Sequence, residues 1–165
     1  MADTQDKRRV VTGKVRFSYL NVFEPRPSEF PGGKPKYSVQ LILPKSDVET
    51  YAKIMAAIEA AKEYGKEKLK AWGGKIPAGL HLPLHDGNGL KENKQEPYGP
   101  ECADCWVFTA SSEDQPGIVD ASLNPILSQS DLYSGCYGRV AIQLFPYGKG
   151  KNGISVSLGN LQKLE

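Results

Sequence analysis

The sequence predicts a mainly β protein: a small five-stranded barrel with one long helix and long loops. Three observations predict it. Several segments alternate apolar and polar residues with the period of a strand. Only one segment repeats its apolar residues at helical spacing. The hydrophobic fraction is 39%, with 17 glycines and 12 prolines among 165 residues. That balance suits a loop- and strand-rich chain better than a helical bundle.

In chain order, residues 1–8 read as a flexible lead-in and 9–165 as one domain. Arg9 to Phe23 reads as one long half-buried strand, with Val11, Val15, Phe17 and Tyr19 on one face. Thr12, Lys14, Arg16 and Ser18 take the other face. Gly13 marks a bend or bulge. Residues 24–35 are a proline-rich loop. A second strand spans Lys36 to Leu43, and Pro44 ends it. Ser46 and Glu49 have the spacing of a capping box. They open a helix from Asp47 to Ala71, with Val48, Tyr51, Met55 and Ile58 as its apolar stripe, widened by Ile54 and Ala61. Gly73-Gly74 closes it.

Residues 75–104 are irregular and rich in Pro, Gly and Asn. So long a stretch usually serves a function or is mobile. Strand signal returns at Cys105 to Ala110, with Trp106 and Phe108 on one face. Short apolar pieces follow at Ile118-Val119 and Ile126-Leu127. Tyr137 to Tyr147 alternates throughout, runs into a Gly- and Lys-rich hairpin at 148–153, and is followed by a last strand, Ile154 to Leu161.

The Tyr137–Tyr147 strand carries the functional signal. Val140, Ile142 and Leu144 form a core stripe. The opposite face holds Tyr137, Arg139, Ala141, Gln143, Phe145 and Tyr147. Rings for bases to stack on, beside cations for phosphates, are what a binder of single-stranded nucleic acid needs. The alternative is that Phe145 and Tyr147 pack under a loop. Charge adds to the signal. Residues 1–45 hold nine Lys/Arg against four acids, although the whole chain is only +2. A basic third can be an electrostatic footprint or a solvated tail.

No apolar run is long enough to span a membrane. The N-terminus lacks the apolar stretch of a secretory signal, so the cytoplasm is the expected compartment. Three cysteines fit a reducing setting. Cys102-x-x-Cys105 with His81 and His85 upstream could form a Cys2His2 zinc site in reversed order. The alternative is two reduced cysteines at a strand start. The deaminase signature fails, because His85 is followed by Asp86 and Gly87 rather than by x-Glu. No phosphate loop or serine elbow is present. The absence of a catalytic constellation favours a binding protein that is not an enzyme.

Several segments together resemble a known family. They are Thr12-Gly13-Lys14-Val15-Arg16-Phe17, the Tyr37–Lys45 strand, Pro83-Leu84-His85-Asp86-Gly87, Tyr133-Ser134-Gly135-Cys136-Tyr137, and Phe145-Pro146-Tyr147 through Gly153 and Leu158. The family is one of phage and prophage proteins, first known as a domain of unknown function. Its members are single-stranded DNA-binding proteins with an OB fold, similar in plan to those of T7-like phages. The resemblance implies coating of unwound DNA during phage replication and recombination, in the host cytoplasm, without catalysis or cofactor. It implies contact with phage or host replication proteins and self-association on DNA. The helix follows the second strand, earlier than in the usual OB order, so the first strand is expected to bend and serve both sheets. Phosphates are expected to meet Lys14, Arg16, Lys34, Lys36, Arg139, Lys149 and Lys151. Bases are expected on Tyr137, Phe145, Tyr147 and Trp106. The other classes consistent with the chain are a structural phage protein with a small β-barrel and, through the zinc set, a zinc-dependent enzyme.

Overall fold

The computed structural model describes residues 7–27, 34–89, 97–148 and 152–165. In chain order the strands are β1 (Arg9–Val11), β2 (Val15–Arg26), β3 (Lys36–Pro44), β4 (His85–Asp86), β5 (Cys105–Ser112), β6 (Ile118–Val119), β7 (Tyr137–Tyr147) and β8 (Gly153–Lys163). The helix α1 (Val48–Lys68) lies between β3 and β5.

Five strands close a ring. β2 pairs with β3 and β7, β3 with β5, β5 with β8, and β8 with β7. Within the ring all pairs are antiparallel except β5–β8. Alternation fills the interior with Val15, Phe17, Val39, Leu41, Leu43, Phe108, Ala110, Val140, Ile142 and Leu144, all buried in one cluster. Ile154, Val156 and Leu158 of β8 join them. A bulge opposite Val140 and Ile142 then turns Leu161 inward as well.

The expected long first strand is two. β1 pairs with β7 at 141–143, β2 pairs with β7 at 137–138, and residues 12–14 bend between them. The bend is fixed by polar contacts. The Thr12 amide donates to the Val140 carbonyl at 3.0 Å, and the Val140 amide donates to Thr12 Oγ1 at 3.2 Å. β2 thus reaches both β3 and β7, as the early helix requires. Gly138 makes this crossing possible. A Cβ there would lie 2.1 Å from the Gln162 carbonyl oxygen and 2.8 Å from the Phe17 ring.

The bend shifts the side-chain parity. Val10 and Thr12 are buried and Val11 is exposed. Tyr19 also leaves the expected inner face. Its φ is +48° and its register with β3 slips between Ser18 and Asn21, so its side chain points to solvent. A one-residue irregularity exchanges the faces of a strand.

α1 packs chiefly on β7 through Ile54, Ala57, Ile58 and Ala61. The expected stripe is rotated: Val48 is exposed, and Tyr51 and Met55 are half-buried. The N-cap is Asp47 rather than Ser46. Its carboxylate accepts from the Thr50 amide at 3.0 Å and from Thr50 Oγ1 at 2.7 Å. Thr50 Oγ1 in turn accepts from the Gly13 amide at 2.9 Å. The helix start is thereby tied to the bend between β1 and β2. At the other end, Trp72 lies against Gly65 and its Nε1 donates to the Tyr147 carbonyl at 3.2 Å.

The irregular segment 75–104 is partly ordered by the barrel. β4 pairs with β5 at Trp106 and Val107. His81 bridges to Gly153. Residues 81–86 therefore span the gap between the starts of β8 and β5. Cys102, Ile42 and Val107 bury a second small cluster, with Tyr98 and Cys105 against it.

Candidate nucleic-acid interface

β2, β3 and β5 present a polar outer face. The register sets Ser18 opposite Gln40 and Gln40 opposite Thr109, with Asn21 opposite Ser38 and Ser38 opposite Ser111. One edge of the face is walled by His81, Pro83, His85 and Tyr98. Tyr147, Ile154 and Ser155 complete the wall. Together they line an open groove of about 840 Å³. Tyr19 stands at the opposite edge, 63% exposed. The groove therefore offers the rings of Tyr19, Tyr98 and Tyr147 among hydroxyls and amides. Such a surface can take bases by stacking and by adaptable hydrogen bonds.

Among the described residues, no lysine or arginine lines the groove. The cations gather elsewhere. Arg16 pairs with Tyr137 across the β2–β7 junction. Lys14 Nζ lies 5.1 Å and Arg16 Cζ 6.0 Å from the Tyr137 ring centroid. Lys14 also forms an ion pair with Glu165. Arg139, two residues along β7, is exposed. Lys36 is exposed at the start of β3, and Lys34 lies 3.9 Å from Glu113. Lys149 and Lys151 lie outside the described residues.

The expected single aromatic platform on β7 is thus divided. Tyr137 and Tyr147 do share the outer face, and the inner stripe is as expected. Ten residue steps along the strand separate them, however, or about 33 Å at 3.3 Å per residue. Tyr147 belongs to the groove and Tyr137 to the Lys14–Arg16 cluster. Phe145, half-buried opposite Ser155, lines neither. Trp106 is withdrawn from the outer face altogether. It shares the inward parity of Phe108, packs against the main core and stacks on Tyr51 with centroids 5.1 Å apart. Lys45 Nζ lies 4.7 Å from its ring and pairs with Asp86 at 2.8 Å.

The four candidate zinc ligands do not converge. The His81 and His85 rings are 6.3 Å apart at the groove. Cys102 is buried in the second cluster and Cys105 lies at its margin. Among the described residues no three His, Cys, Asp or Glu side chains could hold a metal ion together. Burial raises the Cys105 thiol pKa, Asp104 raises it further, and Lys45 opposes them.

Comparison with known proteins places this architecture. Residues 8–165 match the family model of the single-stranded DNA-binding protein of Enterobacter phage Enc34. The chain belongs to this Enc34 family. The truncated Enc34 protein superposes with a TM-score of 0.74 at 25% identity, over 96% of this chain and 86% of that one. The Enc34 protein solved in complex with single-stranded DNA gives a TM-score of 0.71 at 25% identity, over 94% and 85%. Protein p50 of Acyrthosiphon pisum secondary endosymbiont phage 1 is 25% identical over 158 residues, covering 93% of this chain and 82% of its own. Gp2.5 of bacteriophage T7, at 14% identity and a TM-score of 0.65, shares the fold over the whole chain.

Within this Enc34-family barrel, sequence reasoning missed Tyr19 and Tyr98. Tyr19 alternates in phase with Val15 and Phe17, so periodicity assigns it to the core. Only its positive φ takes it out, and composition carries no sign of that. Tyr98 sits between Pro97 and Gly99 in a segment with no periodicity. An aromatic in such a loop was the available signal. Among the described residues, no helix is long and apolar enough to cross a membrane.

Proposed function

We propose that this chain coats single-stranded DNA with little regard to sequence, as a non-catalytic protein of phage DNA replication and recombination in the host cytoplasm. The observation that carries the reading is the groove across β2, β3 and β5, where Tyr19, Tyr98 and Tyr147 surround a polar floor. Its family membership and its likeness to a protein solved with single-stranded DNA support the same reading. Bases would enter the groove. Phosphates would run along its ends, toward Lys14, Arg16 and Arg139 on one side and Lys34 and Lys36 on the other. Lys149 and Lys151, expected from the sequence as further phosphate contacts, lie outside the described residues. Tyr137 would stack a base beyond the groove, and Phe145 would support Tyr147. Trp106 is not part of this site. Phage or host replication proteins, and neighbouring copies on the same strand, are the partners such a coat meets.

The test is a fluorescence titration with poly-dT, repeated across salt with duplex and RNA competitors. Each neutralised phosphate contributes about −0.7 to the log–log salt slope on single strands, so four or five contacts give roughly −3. Binding that ignores salt, or duplex that competes as well as poly-dT, would refute the proposal.

A further inference from the structure

The turn at residues 133–136 is held rigidly yet presents an aromatic ring to solvent. Its frame is buried: Leu132 and Cys136 lie in the core. The Cys136 amide donates to the Tyr133 carbonyl at 3.1 Å. The Gly135 amide donates to the Phe17 carbonyl at 2.7 Å, and the Phe17 amide donates to the Cys136 carbonyl at 2.8 Å. The Leu20 amide reaches Ser134 Oγ at 3.4 Å. The turn is thus fastened to β2 on either side of Tyr19. Tyr133 itself is 55% exposed, so packing does not account for its ring.

One cation lies at that ring and two at the next. Lys163 Nζ lies 5.1 Å from the Tyr133 centroid and donates to the Asp131 carbonyl at 2.6 Å. Arg16 Nη2 lies 3.6 Å from where a Cβ on Gly135 would sit, beside the turn that separates Tyr133 from Tyr137. Tyr137 carries Lys14 and Arg16 on its own ring. A ring with one cation at its face and a second beside its turn, on a fixed frame, suits one nucleotide, with the base on the ring and the phosphate on the cations.

We propose that Tyr133 and Lys163, with Arg16, form an additional nucleotide station beyond the groove, so that a bound strand continues past Tyr19 and Tyr137 onto the 133–136 turn. The inference rests on the single-strand-binding reading above. It adds a contact that only longer strands can reach.

The experiment uses the full chain with Tyr133→Leu, Tyr133→Phe and Lys163→Gln, titrated with dT oligomers of increasing length. Oligomers short enough for the groove, about four nucleotides, should bind all variants like the wild type. For longer oligomers Tyr133→Leu should weaken binding about five- to tenfold, at the lower end of what a stacked base contributes. Tyr133→Phe should retain the affinity. Lys163→Gln should reduce the salt slope by about 0.7 on long oligomers alone. Thermal denaturation should be unchanged for Tyr133→Leu, because its ring is exposed. Unchanged affinity of Tyr133→Leu at every length overturns the station. Equal loss at every length does so too, because it makes Tyr133 part of the groove site. Failure of the wild type to bind any oligomer would instead refute the single-strand-binding reading itself.

Discussion

Tyr19 offers a test in which stability and binding should move in different directions. Its φ of +48° lies in the left-handed region, and its ring is 63% exposed. A side chain held there costs roughly 1–2 kcal/mol relative to the right-handed conformation. Tyr19→Ala keeps this strain, because alanine has a Cβ. It loses little burial, so stability should change by no more than about 0.5 kcal/mol. Tyr19→Gly relieves the strain but adds about 0.5–1 kcal/mol of unfolded-state entropy. The glycine variant should therefore equal the wild type or exceed it by up to about 1.5 kcal/mol. Binding should treat the two alike. Loss of a stacking ring costs about 1–3 kcal/mol, which is roughly five- to over a hundredfold in affinity for poly-dT. Urea denaturation and poly-dT titration on the same preparations measure both quantities. If both variants bind like the wild type, Tyr19 is not in the DNA path. If both lose stability in proportion to affinity, Tyr19 supports the fold and the groove reading fails at this edge.

Three further outcomes follow from contacts described above. Trp106→Ala should lower the melting temperature and leave poly-dT affinity per folded molecule intact, because the ring stacks on Tyr51 and packs on the core; a selective loss of binding would return Trp106 to the interface. Asp47→Ala should cost about 1–2 kcal/mol in urea denaturation, since it removes the helix cap and the acceptor of the buried Thr50 hydroxyl; a neutral result would mean that water or Ser46 replaces it. Lys45, and then the Asn88 amide, hold the Asp86 carboxyl below its ordinary value. A lowered folded value stabilises above the ordinary carboxylate range, near about pH 4, and is lost as pH falls through the folded value. Asp86→Asn should therefore flatten the acid limb of stability against pH, and an unchanged limb would refute the coupling.

The parts of the fold that were legible are those where a period runs unbroken. The β7 stripe of Val140, Ile142 and Leu144 is buried as its alternation requires, and so is the first half of β8. The helix was legible as an element, and Ile54, Ile58 and Ala61 of its expected stripe are buried. The face is turned only in part: Ala57 joins them, Val48 is exposed, and Tyr51 and Met55 lie at the margin. A small alanine such as Ala57 allows close approach to β7, and sequence hydrophobicity underrates it. In the first strand the bend at Gly13 was legible, but not the change of parity it brings to Val10, Val11 and Thr12, nor the break at Tyr19. The site suffered most from that second break, because the error moved a groove tyrosine into the core. Lys14 and Arg16 from one segment and Tyr137 from another, all named from the sequence, do come together in space. Trp106 was misplaced because period alone identifies the two faces of β5 but not which one faces inward.

The separation of rings from cations bears on how the proposed single-strand binding would tolerate any sequence. A groove lined with lysine would hold phosphates inside and turn the bases outward. Here, among the described residues, the polar floor is Ser, Thr, Asn and Gln, and the charged side chains stand beyond its ends. Hydroxyls and side-chain amides can donate as well as accept, so they can meet the edge of any base without fixing its identity. Tyrosine faces are equally indifferent, since every base has a π-face. In the proposed binding mode, discrimination against duplex would follow from shape. Paired bases cannot turn their faces onto Tyr19 and Tyr147, and the phosphates of a duplex would find only the cations at the ends. Selectivity for single strands would thus come from where the charge is absent as much as from where it lies. Adding a lysine to the groove floor at Gln40 should raise duplex affinity more than single-strand affinity in parallel titrations. A uniform increase for both would show that charge position does not govern the choice.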